Sequence, residues 1–376
     1  MTTAIGWQAA EGRSYGGPGR YVQRAGELRR LPEHLQDLGT RAFLLVDRIV
    51  AEEYGEAIRA SLGKAEARIE TFGGECCTEE IDRVAALVAE SGADVVAGIG
   101  GGKTADTAKV AGMRHRARIV VVPTIASTDA PCSAIAVRYN QEGVMQEAMA
   151  LPRNPDLVVV DSAVVAKAPA RFLVSGMGDA LSTFFEARSN LESRSPNFIR
   201  PNLPAPEAGI AIARACHEVL MRDGLAAKLA AERNLLTPAV EAIIEANTLL
   251  SGLGFENCGV SGAHGIHDGM TVLPATRKFF HGEKVAFGTL CLLMLEGRPL
   301  AEIAATAAFC RSVGLPTTLA DLDLGQATPD DIGRVAEAAL KPGAVIGRVA
   351  TPLSPTIVRD AILALDAYTS GLARSA

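Results

Sequence analysis

The chain has 376 residues, which is more than one hydrophobic core usually supports, and this length predicts two domains. A composition of 48% hydrophobic and 21% charged residues is typical of a folded globular protein and excludes a largely disordered chain. The net charge of -6 excludes nucleic acid as a partner, because no surplus of basic residues exists to replace phosphate counterions. We therefore expect a small-molecule partner.

The cysteines and the apolar segments predict a cytoplasmic protein. Seven cysteines without a repeated CxxC spacing are typical of reduced thiols in a reducing compartment. The first residues, MTTAIGWQAAEGRSYGG, lack a basic segment followed by an apolar one, so no signal peptide is predicted. Charged residues, Gly or Pro interrupt each apolar run before it reaches the length of a membrane span, so no membrane partner is expected.

Short apolar runs alternate with helical patterns over the first 160 residues. The runs predict strands buried on both faces, at 41–47, 68–72, 94–98, 118–122 and 157–161. Strands that alternate with helices require crossover connections, which predicts a parallel sheet. The segment 134–148 breaks this alternation and predicts a hairpin with its turn at 140–143.

Helical periodicity replaces the strand pattern after about residue 165. Thr237 and Pro238 predict a helix start, as an N-cap and a first-turn proline, with the helix running to Gly252 or Gly254. Further helices are predicted at 209–222, 301–313, 329–340 and 356–370. The proline-rich segment 189–206 predicts a surface excursion. The predicted fold is an α/β Rossmann-like domain with a parallel sheet in residues 1–165, followed by an all-α domain in residues 166–376.

A glycine run, GIGGGKT at 98–104, lies between a predicted strand and a predicted helix. Glycines let the backbone approach a phosphate closely, and a helix N-terminus supplies N–H donors. The run lacks the GxGxxG spacing of an ordinary dinucleotide site and nearly matches a P-loop, with Ala97 in place of the leading glycine and LVVVD at 157–161 as a Walker B strand. The run predicts phosphate binding but leaves the nucleotide open, and a turn needed only for packing is the third interpretation.

Three of the six histidines, His264, His267 and His281, lie in one short stretch. His264 and His267 are spaced to share a helix face, and the residues after His281 predict a new helix. Clustered histidines are typical metal ligands, and Asp179, a carboxylate among apolar neighbours, is the candidate acidic ligand. Two His and one Asp would leave a coordination position for substrate. Core packing of the histidines and helix capping by Asp179 are the alternatives.

Five blocks together resemble the glycerol dehydrogenases of the iron-containing alcohol dehydrogenase superfamily: GGGKTAD at 100–106, PTIASTDAPCS at 123–133, GDALSTFFEAR at 178–188, ANTLLSGLGFE at 246–256 and HGEKVAFGT at 281–289. The resemblance runs in order from residue 16 to residue 319. It implies the fold of dehydroquinate synthase, with a Rossmann-like domain followed by a helical domain. It also implies a homo-oligomer, often an octamer.

The resemblance implies Asp179, His264 and His281 as the metal ligands. Iron-binding relatives have a further His four residues after the Asp, where Thr183 stands here, so Zn2+ is implied rather than Fe2+. The ribose of NAD is implied to bind Asp47, whose charge disfavours NADP. The NAD pyrophosphate and the rest of the cofactor are implied to bind Gly100, Gly101, Gly102, Lys103, Thr104, Thr124, Ser127, Ser133, Ile135 and Tyr139.

Asp129 is implied to bind a second substrate hydroxyl. His267 is a candidate either for supporting a metal ligand or for a proton path, with core packing as the alternative. The predicted reaction is the reversible NAD-dependent oxidation of glycerol to dihydroxyacetone, by hydride transfer from a zinc-bound alkoxide. The alternatives are the same chemistry on another vicinal diol or hydroxyketone, a P-loop NTPase, and a metal- or nucleotide-binding protein of the same fold without catalytic activity. Asp268 stands where relatives usually have Asn and adds negative charge near the metal.

Overall fold

The computed structural model describes residues 12–63, 66–199 and 202–375. Its strands are β1 Tyr21–Gln23, β2 Arg41–Val46, β3 Glu66–Thr71, β4 Val95–Gly100, β5 Arg118–Pro123, β6 Ile135–Tyr139, β7 Met145–Ala150 and β8 Leu157–Val160. Its helices are α1 Leu31–Gln36, α2 Arg48–Leu62, α3 Thr78–Ser91, α4 Gly102–Arg114, α5 Ser162–Val165, α6 Ala170–Ser193, α7 Glu207–Ala231, α8 Pro238–Glu245, α9 Ser251–Cys258, α10 Gly262–Met270, α11 His281–Leu295, α12 Leu300–Val313, α13 Pro329–Ala339 and α14 Pro355–Ser375. The predicted order of an α/β region followed by a helical region is confirmed.

Two compact units are present, and neither is continuous in the chain. The sheet unit contains Gly17–Met177 and Arg222–Gly252. The helical unit contains Gly178–Met221 and the residues from Leu253 onward, together with the described residues before Gly17. The domain boundary predicted after residue 165 stays a prediction.

The sheet unit is built on a six-stranded parallel sheet with the order β1-β8-β5-β4-β2-β3. Strand β4 is buried along its whole length, as a central parallel strand with both faces covered should be. Because the strands are parallel, the carboxyl ends of β2, β4 and β5 lie at one edge. The amide of Asp47 there donates to the carbonyl of Ile99 at 2.9 Å, and the amide of Thr124 donates to that of Gly100 at 3.1 Å. The sheet therefore brings the glycine run and the predicted ribose-binding residue together.

The five predicted strands are confirmed, each with one or both ends shifted by one or two residues, and one further strand, β1, is present. Strand β1 was not predicted, because three half-buried residues carry too short a pattern. Strand β4 continues to Gly100, beyond its predicted end, so the first glycines of the run belong to the strand and α4 begins at Gly102. A Cβ on Gly98 would lie 2.7 Å from that of Ala108, so this glycine allows α4 to pack closely on the sheet. The predicted hairpin is the antiparallel pair β6 and β7.

The helical unit contains α10, α11, α13 and α14, which pack on one another. The four helices predicted from periodicity alone are confirmed, each with shifted ends. Thr237 is the N-cap of α8, as predicted, but that helix continues through a π turn at Ala246–Leu250 into α9. No helix in the described ranges has both the length and the hydropathy of a membrane span. All seven cysteines are buried free thiols, in agreement with the predicted reduced state.

The prediction of a surface excursion at 189–206 is partly wrong. Ser189 and Asn190 lie within the last turns of α6 and are buried. Asn197 is also buried, and its amide donates to the carbonyl of Ser14 at 3.0 Å. A buried polar side chain such as Asn197 is stabilised by hydrogen bonds to distant partners, which composition does not reveal.

Candidate functional site

Three side chains from three helices converge in the helical unit. Asp179 lies on α6, His264 lies on α10, and His281 is the first residue of α11. One possible ligand atom from each lies within 4.8 Å of the others. Oδ1 of Asp179 is 3.1 Å from Nε2 of His281 and 3.6 Å from Nε2 of His264. Asp179 lies well inside α6, so the alternative that it caps a helix is wrong.

The cluster has the donors and the spacing of a divalent-metal site. Burial disfavours ionisation of Asp179, but His281 and His264 outweigh it and hold the pKa of its carboxyl well below the usual range. A carboxylate with two imidazole nitrogens is a common donor set for zinc. Ligand atoms about 2 Å from one tetrahedral zinc lie about 3.3 Å apart, close to the two separations from Oδ1 of Asp179. The residues present therefore fit a zinc ion.

Glu186, on α6 two turns after Asp179, contacts the outer side of His264. Its Oε2 lies 2.7 Å from Nδ1 of His264, and the carboxylate is wholly buried. Burial lowers the pKa of the His264 ring, but Glu186 and Asp179 outweigh it and raise that pKa well above the usual range. No role was predicted for Glu186 from the sequence. Its position on the same helix face as Asp179 is the signal that could have identified it.

His267 lies between His281 and Asp268. Its Nδ1 is 2.9 Å from Oδ1 of Asp268, and its Nε2 is 3.1 Å from Nδ1 of His281. Burial, with a smaller contribution from His281, lowers the pKa of His267 to about 3, so its ring is neutral at neutral pH. Burial raises the pKa of Asp268, but the hydrogen bond from His267, together with the electrostatic effect of the three nearby histidines, outweighs this and lowers that pKa. The hydrogen-bond network therefore has His267 donating to Asp268 and accepting from His281, whose Nε2 faces Asp179.

The glycine run and Asp47 meet at the carboxyl edge of the sheet. A Cβ on Gly100 would lie 2.7 Å from the Cβ of Asp47, so only glycine leaves room there. The carboxylate of Asp47 accepts the amide of Ile49 at 2.9 Å and caps α2. Gly101, Gly102 and Thr104 lie at the N-terminus of α4, where backbone donors favour an anion.

Two side chains required by the P-loop alternative have other roles. Nζ of Lys103 lies 2.6 Å from Oε2 of Glu75 and 4.8 Å from the centre of the Tyr139 ring. Asp161, the Walker B candidate, accepts hydrogen bonds with both carboxylate oxygens from the backbone amides of Gly26, Leu28 and Ala163. Asp161 therefore has a structural role, holding the loop that carries Gly26 and Leu28, and is not a ligand for magnesium.

The loop between β5 and β6 carries most of the remaining predicted residues. Of these, Thr124, Asp129 and Ser133 are buried and Ser127 is half-buried, while Ile135 and Tyr139 begin and end β6. Two residues from the helical segment after α8 hold the loop. Ser251 donates to Oδ2 of Asp129 at 2.8 Å, and the side-chain amide of Asn247 donates to the carbonyl of Ala126 at 2.9 Å. Neither Ser251 nor Asn247 was assigned a role from sequence.

A buried ion pair holds the other end of this loop. Lys109 on α4 is completely buried, and its Nζ donates to Oδ1 of Asp106 at 3.2 Å. The same Nζ donates to the carbonyls of Ala130 at 2.7 Å and Ile135 at 3.0 Å. Asp106 also accepts the amide of Val137 at 2.9 Å. The signal in the sequence is a pair of opposite charges, one turn apart, in the middle of a helix whose neighbouring residues there are Thr, Ala, Val and Gly.

Sequence similarity to known proteins identifies the family to which the chain belongs. Residues 18–162 match the iron-containing alcohol dehydrogenase family. A glycerol dehydrogenase from Thermotoga maritima is 49% identical over 352 residues, which cover 93% of this chain and 96% of that protein. The chain belongs to the iron-containing alcohol dehydrogenase family. This membership makes it an alcohol or polyol dehydrogenase, as predicted, and the P-loop NTPase alternative is wrong.

Solved structures of this family agree with the fold. A probable glycerol dehydrogenase from Sinorhizobium meliloti is 62% identical with a TM-score of 0.91, over 96% of this chain and 99% of that one. The glycerol dehydrogenase from Schizosaccharomyces pombe is 37% identical with a TM-score of 0.90, over 96% of this chain and 92% of that one. Both similarities extend through the sheet unit and the helical unit.

Proposed function

We propose that this family member oxidises glycerol to dihydroxyacetone, reversibly, with NAD as the hydride acceptor and Zn2+ as the metal. The convergence of Asp179, His264 and His281 carries the proposal, in a chain similar to glycerol dehydrogenases over nearly its whole length. These three residues would hold the zinc ion. When bound, such an ion lowers the pKa of a substrate hydroxyl, which prepares the adjacent carbon to release hydride.

The substrate's second hydroxyl is proposed to bind Asp129. A carboxylate accepts several hydrogen bonds, so Asp129 can receive a hydroxyl in addition to the one from Ser251. A buried carboxylate that has lost its water favours a diol over a simple alcohol, because only the diol returns a hydrogen bond to it. His267 is proposed to be a positioning residue, which holds the tautomer of His281 through the hydrogen bond between their rings.

NAD is proposed to bind along the carboxyl edge of the sheet. Gly100, Gly101 and Gly102, with Lys103 and Thr104, would hold the pyrophosphate at the N-terminus of α4, and Asp47 would accept hydrogen bonds from the ribose hydroxyls. The remaining cofactor residues are proposed to be Thr124, Ser127, Ser133, Ile135 and Tyr139. With this assignment, residues 1–165 form the proposed NAD-binding domain and residues 166–376 the proposed metal-binding domain of a cytoplasmic homo-oligomer.

A polyol panel with NAD and NADP, with metal content measured on the same sample, tests the proposal. We expect the highest kcat/KM with glycerol and NAD, loss of activity after prolonged chelation, and recovery when Zn2+ is added. Activity that survives chelation would reject the metal assignment. A clear preference for another diol or a hydroxyketone would replace glycerol while leaving the chemistry, and a preference for simple alcohols would reject the role of Asp129.

Replacing Asp129 with asparagine is expected to lower kcat/KM for glycerol by about 10- to 100-fold relative to 2-propanol. A hydrogen bond to a charged group contributes about 1.5 to 3 kcal/mol, and the neutral amide loses most of this. Ser251→Ala should also lower kcat/KM for glycerol relative to 2-propanol, but by a smaller factor, since it removes a hydroxyl that orients the Asp129 carboxylate and leaves the carboxylate itself. NADH fluorescence titration should give unchanged cofactor affinity. Equal losses for both substrates would show that Asp129 does not select diols.

A further inference from the structure

We infer that Glu186 is a positioning residue of the metal centre, which sets the tautomer and orientation of His264. The inference rests on the metal site of the proposed function and extends it to a residue outside the ligand set. The inference is based on the hydrogen bonds of the Glu186 carboxylate, which contacts both the ring of His264 and the start of helix α10.

The first task is to hold the ring of His264. Oε2 of Glu186 lies 2.7 Å from Nδ1 of His264. Because a carboxylate can only accept a hydrogen bond, Nδ1 must carry a proton and donate it. Nε2, on the opposite side of the ring, is therefore the nitrogen that binds a metal, and it faces Oδ1 of Asp179 at 3.6 Å.

The second task is to cap helix α10, and it keeps the carboxylate in place. Oε1 of Glu186 accepts the backbone amides of Ser261 at 2.7 Å and His264 at 3.0 Å. Ser261, at the N-cap position, makes no side-chain capping bond of its own, so Glu186 on α6 performs this role. With both oxygens engaged, the carboxylate cannot turn away from the ring without breaking the cap.

The two histidine ligands are therefore supported differently. The outer nitrogen of His281 faces the imidazole of His267, whereas that of His264 faces a carboxylate. A carboxylate partner makes an imidazole a stronger base and a stronger metal ligand than another imidazole does. Glu186 should therefore contribute more to metal affinity than His267 does.

Glu186→Gln tests the inference, because glutamine keeps the shape and reverses one hydrogen bond. Its amide oxygen can still cap α10, but its NH2 group then donates to Nδ1 of His264 and moves the ring proton to Nε2. We expect the Kd for Zn2+ to rise about 10- to 100-fold, measured by chelator competition on the full-length protein. Absorption of bound Co2+ gives a second measure of the site that does not depend on turnover.

Glu283→Gln is the matched control. Glu283 caps α11 by accepting the amide of Phe280 at 2.7 Å, a bond that glutamine can also accept. The Zn2+ affinity of the Glu283→Gln protein should equal that of the unaltered protein. If Glu186→Gln lowers the melting temperature of the metal-free protein but binds Zn2+ like the unaltered protein, Glu186 only caps the helix and the inference is wrong.

The remaining outcomes separate this inference from the proposed function. If Glu186→Gln does not fold, Glu186→Asp keeps the charge but is too short for both tasks, and unchanged Zn2+ affinity in that variant overturns the inference. If the unaltered protein binds no Zn2+, the proposed metal site fails and this inference fails with it. If the unaltered protein and both Glu186 variants bind Zn2+ equally tightly, the role of Glu186 is rejected and the proposed metal site is retained.

Discussion

Asp179→Asn is expected to abolish zinc binding and to lower kcat/KM for glycerol by a factor of about a thousand or more. The substitution changes little in shape, but it replaces the anionic ligand of the cluster with a neutral amide beside the two imidazoles. Polarisation of the substrate by a metal contributes several kcal/mol to a reaction of this kind, and about 4 kcal/mol corresponds to a thousandfold change in rate. Elemental analysis, chelator competition and initial rates on one preparation measure both effects.

Asp268→Asn is the comparison for this variant. It makes the same carboxylate-to-amide change at a residue whose contact in the site is with His267, and an amide oxygen can still accept that hydrogen bond. We expect zinc to be retained and the loss in kcat/KM to be much smaller than for Asp179→Asn. A normal zinc content in Asp179→Asn would reject Asp179 as a ligand, and normal turnover without zinc would reject the metal-assisted reaction.

Lys109→Met is expected to lower the free energy of unfolding by about 3 to 5 kcal/mol. Removing one partner of a buried ion pair leaves the other charge without compensation, and Asp106 is almost completely buried. The carbonyls of Ala130 and Ile135 also lose the donor that holds them. Urea unfolding of the cofactor-free protein measures the change. Because this loop contains Asp129 and Ser133, the KM for glycerol should also rise in Lys109→Met, measured without urea under conditions where the variant is folded.

Lys103→Met provides the matched control, since it makes the same substitution on the same helix. Lys103 is partly exposed and pairs with Glu75, and ion pairs of that kind contribute about 0 to 1 kcal/mol. The double variant Asp106→Leu/Lys109→Met should be more stable than Lys109→Met, because no buried charge remains in it. A loss below about 1 kcal/mol for Lys109→Met would show that the buried pair does not stabilise this loop.

Local sequence patterns were sufficient for five of the six parallel strands and for the helices predicted from periodicity. The buried strands are continuous apolar runs, and the N-cap of α8 is visible in the pair Thr237 and Pro238. The π turn after α8 was not predicted, because an inserted helical residue leaves the apolar pattern nearly unchanged. Strand β1 was too short to recognise. Each of these outcomes depends on interactions within a few residues of chain.

The candidate site was predicted by a different route. The clustering of His264 and His281 suggested a metal, and the apolar neighbours of Asp179 made it the candidate acidic ligand. The resemblance to a family then implied the complete ligand set, because no local pattern links these distant residues. The structure brings the three together through the packing of α6, α10 and α11. Their roles stay predictions until the metal measurements are made.

From the amino-acid sequence one can recognise the order of the predicted strands and helices, the glycine run at the end of β4 and the residue types available for the chemistry. The side chains that hold those residues in place can be recognised only in the folded chain. Glu186 is 78 residues from His264, and Ser251 is 122 residues from Asp129. A hydrogen bond depends on an approach of about 3 Å between two atoms. Separations of that size along the chain are closed by the packing of whole elements, which periodicity and composition do not encode.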